Sequence, residues 1–181
     1  MDNRTYFLES GLIYLREVRL SDVNETYYNW INDPNINQFL ETRFLPRSLQ
    51  NIEQFVRSMD GKNDEILFAI CIKENDIHIG NIKLGPINWI HRFADISLLI
   101  GDKNYWGKGI ATEAIKLISS FGFNELNLHK LKAGCYVDNK GSEKAFVKAG
   151  YFIEGTLKQH FFFKGNYRDT TLLAKLNNDV K

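Results

Sequence analysis

The sequence predicts one domain, residues 1–181, built on a mixed α/β sheet in the order β-α-α-β-β-β-α-β-α-β-β. Apolar residues recur at helical spacing in some segments, and apolar runs bounded by turn residues fill the segments between them. No Ser-, Gly- or Pro-rich tract divides the chain, and 181 residues are enough to bury a core.

The N-terminal part is predicted to form a strand and two helices. Residues Leu12–Leu20 read as the strand, and Ser21–Asp22 as an N-cap with an acidic group in the first helical turn. The helix that follows is expected to reach about Ile31 and to end at Asp33–Pro34, because a residue before proline disfavours the helical conformation. Ser48 is predicted to cap the second helix.

The rest of the chain is predicted to form a β meander, a long amphipathic helix, a strand, a short helix and a closing pair of strands. The meander strands and the long helix are Glu65–Ile72, Ile77–Leu84, Arg92–Ile100 and Ile110–Phe123. The later elements are the strand Leu131–Val137, the helix Gly141–Ala149 and the strands Tyr151–Phe163 and Tyr167–Leu176.

Charge and composition argue against several classes of partner. The net charge is +1, with Lys and Arg scattered among acids, so no nucleic-acid partner is predicted. No apolar run approaches the ~20 residues that span a bilayer, and no signal-peptide pattern follows Met1, so no membrane association is predicted. Cys71 and Cys135 lie in apolar runs and are expected to be reduced, buried thiols of a cytoplasmic protein without a metal.

The segment YWGKGIATEA at 105–114 carries the clearest functional signal. It follows a strand and opens a helix, and Gly107 and Gly109 flank one residue. This spacing lets N–H groups converge at a helix N-terminus, where phosphate groups bind. A Walker A loop does not fit, because Gly109 stands where Ser or Thr is required. A dinucleotide fingerprint fits poorly, because Thr112 replaces its third small residue and a meander precedes it. A glycine turn before an amphipathic helix is the plain alternative.

This segment resembles the acetyl-CoA pyrophosphate loop of the GNAT superfamily of N-acetyltransferases. It is most similar to the branch of the ribosomal-protein N-terminal (alanine) acetyltransferases, which commonly has a tryptophan in the place of Trp106. Segments 139–151, 154–157 and 165–169 resemble the second cofactor segment and the closing hairpin of that family, and Leu15–Pro34 resembles its opening. The resemblance implies a mostly antiparallel sheet with one splayed strand pair, flanked by helices, and a transferase that uses acetyl-CoA.

The resemblance also implies where acetyl-CoA binds. N–H groups of the glycine loop hold the pyrophosphate, and Lys108 either adds charge or is simply solvated. Pantetheine lies between the splayed strands, where an N–H near Leu98 or Leu99 meets the thioester oxygen. Asn139 either bonds the pantetheine arm or caps the next helix. The implied cofactor-binding residues are Leu98, Leu99, Ile100, Trp106, Gly107, Lys108, Gly109, Ile110, Ala111, Thr112, Asn139 and Ser142.

Acetyl transfer requires a neutral amine, whereas an alkyl ammonium has a pKa near ~10, so a base is needed. Asp95, on the strand that leads to the thioester, is the first candidate, and His160 on the closing hairpin is the second. Either residue could instead be an ordinary surface residue. Many GNAT enzymes protonate the leaving thiolate with a tyrosine at the position that Phe146 fills here, which leaves solvent, Tyr136 or Tyr151 as the proton source.

The family binds its acceptor between the first two helices and the closing hairpin. Aromatic planes and an arginine there favour a nucleotide-linked amino sugar or a similar small amine over a polyamine, which needs a cluster of acids. A protein N-terminus, such as that of a ribosomal protein, and a non-catalytic acyl-CoA-binding domain are the alternatives. The Phe161–Phe163 run is a candidate surface for a homodimer. The candidate lining residues are Trp30, Arg43 and Trp89 as substrate-binding residues, with Glu41, Thr42, Asn88 and His160 beside them.

Overall fold

An eight-stranded sheet runs through the computed structural model, which describes residues 6–177. The strands are β1 (Leu8–Glu9), β2 (Ile13–Glu17), β3 (Ile66–Ile72), β4 (His78–Asn88), β5 (Phe93–Ile100), β6 (Lys130–Tyr136), β7 (Phe152–Phe163) and β8 (Asn166–Leu176). Their order in the sheet is β1-β2-β3-β4-β5-β6-β8-β7, and each neighbouring pair is antiparallel except the parallel pair β5–β6. The mixed, mostly antiparallel fold is therefore confirmed.

Helices cover both faces of this sheet. They are α1 (Glu25–Asn32), α2 (Pro34–Asn37), α3 (Leu49–Arg57), α4 (Ile110–Asn124) and α5 (Lys140–Lys148). The main core lies under α4 and α5, where Ile115 and Ile118 are fully buried against the sheet. A second core lies on the opposite face, where Trp30 of α1 and Ile52 of α3 pack together beneath Leu99 of β5. Strand β5 is thus packed on both faces.

The start of α1 differs from the prediction. Residues Leu20–Asp22 form a turn of 3-10 helix, and the N-cap of α1 is Asn24, whose side chain accepts from the Thr26 and Tyr27 N–H groups. Ser21–Asp22 was therefore the wrong cap. The Asp22 carboxylate is engaged elsewhere: it accepts two bonds from the Arg16 guanidinium, at 2.7 and 2.8 Å.

Asp22 belongs to a buried polar cluster that joins β2, the 3-10 turn and β4. Its carboxylate also accepts from the Arg19 N–H at 2.7 Å and lies 3.8 Å from the His78 ring. Burial acts to raise the pKa of Asp22, but the bonds from Arg16 and Arg19 outweigh it and hold that pKa below its usual value. Burial lowers the pKa of His78, so the ring is held neutral. This cluster fixes the N-terminal strand to the strand next to β5.

Strand β4 is longer than predicted and β1 was not predicted. The meander strand expected to end at Leu84 continues to Asn88, across a cis peptide bond at Gly85–Pro86 and a register shift between Leu84 and Ile87. Proline ends most sheet strands because it has no N–H to donate, and a bulge is where it can be accommodated. Strand β1 spans two residues, which is too short to produce a periodic signal. Within residues 6–177 no helix has the length and apolarity to cross a membrane.

Candidate active site

The parallel pair β5–β6 separates partway along its length. Backbone pairing between these two strands ends at Asp95 with Lys132. Beyond that point β5 continues to Ile100 and β6 to Tyr136, and the strands diverge into a wedge-shaped gap. This is the splayed pair that the sequence predicted.

Alternate peptide groups of β5 face the gap. The Gly101 N–H donates to the Ile79 carbonyl of β4 at 2.8 Å, so the peptide groups of odd-numbered β5 residues face β4. Just before β5, the Arg92 carbonyl accepts from the His129 N–H at 2.6 Å, so even-numbered residues face β6. Side chains play no part in this division, which follows from the alternation of backbone direction along a strand.

Leu98 is therefore the residue whose peptide group faces the middle of the open gap, whereas that of Leu99 belongs to the β4 ladder. Of the two residues predicted to meet the thioester, Leu98 is the one whose N–H faces the gap, and the contact itself stays a prediction. The next gap-facing carbonyl, that of Ile100, accepts from the Trp106 indole Nε1 at 2.7 Å. Trp106 thereby ties the glycine loop to the end of the strand.

The glycine loop lies at the wide end of the gap and opens α4. Gly107 and Gly109 have φ of +74° and +83°, a backbone conformation that favours glycine, and no atom lies within 4 Å of a Cβ placed on either residue. Gly109 is the N-cap of α4, so the first N–H groups of that helix, from Ile110 to Thr112, have no partner within the helix. This is a cradle for an anion. Lys108 lies nearby, with its ammonium 5.5 Å from the Tyr105 ring.

Asn139 and Ser142 are placed as in the alternative interpretation. The Asn139 side-chain oxygen accepts from the Ser142 N–H at 3.2 Å, so Asn139 caps α5. A carboxamide also has an N–H₂ donor, and a cap leaves that group available for a second partner. A role of Asn139 toward pantetheine stays a prediction.

The two candidate bases lie in different surroundings. Asp95 is at the point where the strands part, with its carboxylate 3.3 Å from the Lys132 ammonium and 43% of its side chain exposed. His160 is an exposed residue in the irregular segment of β7 where the register shifts between Leu157 and Phe161. Asp95 is thus the candidate held by the rigid part of the sheet.

A network that the sequence did not predict lies on the α1 side of the gap. The Tyr136 hydroxyl, at the end of β6, donates to the Glu41 carboxylate at 2.5 Å and accepts from Arg43 at 2.7 Å. Burial and the Glu41 carboxylate raise the pKa of Tyr136 to about 12. No local pattern in the sequence indicates this network, because it joins residues far apart in the chain. Rings of Phe39, Phe161 and Phe163 surround Tyr136.

Neither remaining tyrosine is suited to protonate the thiolate. The Tyr136 hydroxyl donates its proton to the Glu41 carboxylate, so that proton is already engaged. The Tyr151 hydroxyl is buried against Ser119 at 2.8 Å, and burial raises its pKa. Phe146 is 2% exposed and packs edge-on against Tyr151. Protonation of the thiolate by solvent stays a prediction.

Two predicted acceptor contacts are engaged within the protein. Trp30 is 5% exposed, and a Cβ on Gly101 would come within 2.1 Å of its indole ring, so Trp30 is a core residue that supports the end of β5. Trp89 lies in the β4–β5 turn, at the paired end of β5, with its indole N–H bonded to the Asn63 carbonyl at 3.1 Å. The residue type of Trp30 and Trp89 alone does not indicate where in the fold each one lies.

Comparison with known proteins places the chain in a family. Residues 13–151 match the family described as "Acetyltransferase (GNAT) domain". The chain is 37% identical over 181 residues to the probable N-acetyltransferase YjcK of Bacillus subtilis, covering 95% of this chain and 98% of that one. It is 30% identical to the spermidine N(1)-acetyltransferase of Vibrio cholerae over 122 residues, covering 67% and 69%.

Comparison with solved structures also supports this family. The crystal structure of spermidine N-acetyltransferase from Vibrio cholerae in complex with CoA and spermine superposes with a TM-score of 0.83 at 27% identity, covering 92% of this chain and 96% of that one. No group of three or more potential metal ligands occurs among residues 6–177. The similarity to the ribosomal-protein branch has no support among these relatives. The family match, the relatives' names and the fold agree that this chain belongs to the GNAT family and is an N-acetyltransferase.

Proposed function

We propose that the protein transfers the acetyl group of acetyl-CoA to the primary amine of a small molecule that carries a single positive charge. The observation that carries the proposal is the gap between β5 and β6, with the Leu98 peptide group facing it and the glycine loop at its wide end. A pantetheine arm can pair with the open edge of β5 as an added strand would. Its pyrophosphate fits the N-terminus of α4.

The charges near the acceptor end support a monoamine. Within residues 6–177, each acidic side chain around Tyr136 and the closing hairpin has a basic partner within ion-pair distance, so the described part of the chain offers no surplus of negative charge for a polycation there. The relatives named for spermidine support a small amine, and the compensated acids favour one with fewer positive charges. The pairs are Glu41–Arg43, Asp95–Lys132, Asp138–Arg168, Glu154–Lys130 and Asp169–Lys158.

An amino sugar is the class of monoamine that we favour, because the partly exposed rings of Phe39 and Phe161 contact Tyr136, whose hydroxyl bonds the Glu41 carboxylate. Support for a nucleotide-linked form is weaker, since it rested on Arg43 as a partner for phosphate. The Arg43 guanidinium is instead bonded to Tyr136 and to backbone carbonyls. A protein N-terminus is the competing acceptor.

We also propose a cytoplasmic location and consider how a homodimer could form. Cys71 and Cys135 are free, buried thiols, which fits a reducing compartment such as the cytoplasm. A homodimer would have to use little of the Phe161–Phe163 run, because Phe163 is buried and Phe161 stacks on Tyr136. Phe162, at 49% exposure, is the part of that run that offers an apolar surface.

The test is release of CoA from acetyl-CoA, followed with a thiol reagent, in the presence of four acceptors. These are glucosamine, a UDP-linked amino sugar, spermidine and a peptide with an N-terminal alanine. The proposal expects the highest kcat/KM with glucosamine. Preference for spermidine would refute the monoamine class, and preference for the peptide would restore the ribosomal-protein alternative. No release with any amine would contradict catalysis itself.

An Asp95→Asn substitution tests the base. If Asp95 accepts the proton of the amine, kcat should fall by about a hundredfold while the affinity for acetyl-CoA is kept, since general bases contribute ~10²–10⁴ in rate. Asp138→Asn is the matched control, because both carboxylates are 43% exposed and lie 3.3 to 3.4 Å from a basic group. His160→Gln is measured beside them. A fall in kcat for His160→Gln alone would transfer the role to the histidine.

A further inference from the structure

One arginine joins three separate parts of the chain at the acceptor end. Arg43 lies in the segment 40–45, called here the strap, which connects α2 to α3 and contains a 3-10 turn at Glu41–Phe44. Its guanidinium donates to the Tyr136 hydroxyl at 2.7 Å and to the Phe162 carbonyl of β7 at 2.9 Å. It also donates to the Leu40 carbonyl of the strap itself at 2.8 Å.

The chain from α1 to the strap contacts both strands that border the gap. Continuing the register from Asp95 and Lys132, Leu99 of β5 would stand opposite Tyr136 of β6 if the strands had stayed paired. Leu99 of β5 packs against α1, and Tyr136 of β6 is bonded to the strap. The chain from α1 through the strap therefore contacts one strand on each side of the gap. Arg43 extends these contacts to the closing hairpin through its bond to the Phe162 carbonyl.

The arginine is held as a structural cation. Its side chain is 12% exposed, and its guanidinium carbon lies 4.1 Å from the Phe44 ring centroid and 5.1 Å from that of Tyr136. Glu41, in contrast, has 57% of its side chain exposed. An arginine packed between aromatic rings and bonded to two carbonyls is a fixed crossbar, because its planar fork is satisfied in one orientation.

We propose that Arg43 is a specificity-determining residue that latches the strap to the closing hairpin and so excludes polypeptide acceptors. An extended peptide that presents its N-terminus to the gap would have to pass between the strap and β7, where the Arg43 guanidinium reaches the Phe162 carbonyl. A small amine needs only the space beside Glu41. The inference rests on the proposed function, of which it explains the small-molecule preference.

The test compares Arg43→Met with Arg57→Met, whose exposed guanidinium pairs with Glu53 on α3 far from the gap. In Arg43→Met, the ratio of kcat/KM for the alanine peptide to that for glucosamine should rise by about tenfold or more, since bonds to a charged donor are lost. Affinity for acetyl-CoA should stay unchanged. In Arg57→Met the ratio should equal that of the wild type.

Hydrogen exchange of the strap amides gives a readout that does not depend on activity. Residues 40–45 should exchange about tenfold faster in Arg43→Met than in the wild type. If the wild type turns over no amine, the proposed function fails, and the exchange rates still decide whether the latch exists. Should Arg43→Met not fold, Tyr136→Phe removes one bond of the latch and should raise both readouts in the same direction. An unchanged ratio and unchanged exchange in the folded variant would overturn the proposal.

Discussion

A Gly109→Trp substitution is expected to weaken the binding of acetyl-CoA by about a hundredfold or more. Gly109 has a φ of +83° at the N-cap of α4, and the space beside it is open. A tryptophan there would fill the anion cradle and prevent the pyrophosphate from reaching the N–H groups of the helix. Losing two or more charge-assisted bonds of ~1.5–3 kcal/mol each raises the dissociation constant by about a hundredfold or more.

Gly61→Trp is the control for this substitution. Gly61 has a φ of +73° and also has no atom within 4 Å of a Cβ, but it lies in the turn after α3. Both variants carry the strain of a non-glycine residue in the left-handed region, roughly 1–2 kcal/mol, so a difference between them reports the site and not the strain. Calorimetric titration with acetyl-CoA measures it. Equal affinities for the two variants would separate the glycine loop from cofactor binding.

An Asp22→Ala substitution is expected to lower the free energy of unfolding by about 3–5 kcal/mol, the usual cost of removing one partner from a buried ion pair. The side chains of Arg16 and Asp22 are 15% and 9% exposed, so the arginine would be left buried without its partner. Glu17→Ala is the control, because the Arg19–Glu17 pair is well exposed, at 57% and 66%, and such pairs contribute ~0–1 kcal/mol. Equilibrium unfolding in urea gives both values, and similar losses for the two variants would contradict the prediction.

The same cluster predicts loss of stability in acid. The pKa of Asp22 is lowered in the folded state, so its contribution is present above the ordinary value of 3.8 and is lost as the pH falls through the folded value. The pKa of His78 is also lowered, by burial, so its contribution is present above 6.5 and is lost as the pH falls through its folded value. Below pH 3.8, where the contribution of Asp22 is lost, Asp22→Ala should therefore show a shallower decline of stability than the wild type does.

The sequence predicted best the elements that depend on local chemistry. The α4 helix and the glycine loop before it are encoded by residues that are neighbours in the chain, and the structure has helix α4 at Ile110–Asn124 against a predicted Ile110–Phe123. The wrong cap at Ser21–Asp22 has a tertiary cause. Asp22 is a good capping residue, but Arg16 offers its carboxylate two charge-assisted bonds, and Asn24 is then the next available cap.

The acceptor end was predicted less well, because its geometry depends on contacts between distant residues. Trp30 and Trp89 have the right chemistry for stacking, and only the packing under Gly101 and the bond to Asn63 show that they serve elsewhere. Arg43 was predicted to bind the acceptor because of its charge, but its guanidinium is bonded to groups of the protein itself. Tyr136 acquires its role from Glu41, and residues 95 positions apart produce no periodic signal.

The division of β5 into two sets of peptide groups bears on how the enzyme tolerates mutation. The contact proposed for the thioester is made by the amide of Leu98, and every residue except proline supplies the same amide. Exchanging Leu98 for another apolar side chain would leave that donor in place as long as the strand keeps its path. A proline at position 98 would remove this N–H donor. Mutations that bend β5 would therefore damage this site, whereas substitutions of the side chains that line it would be tolerated.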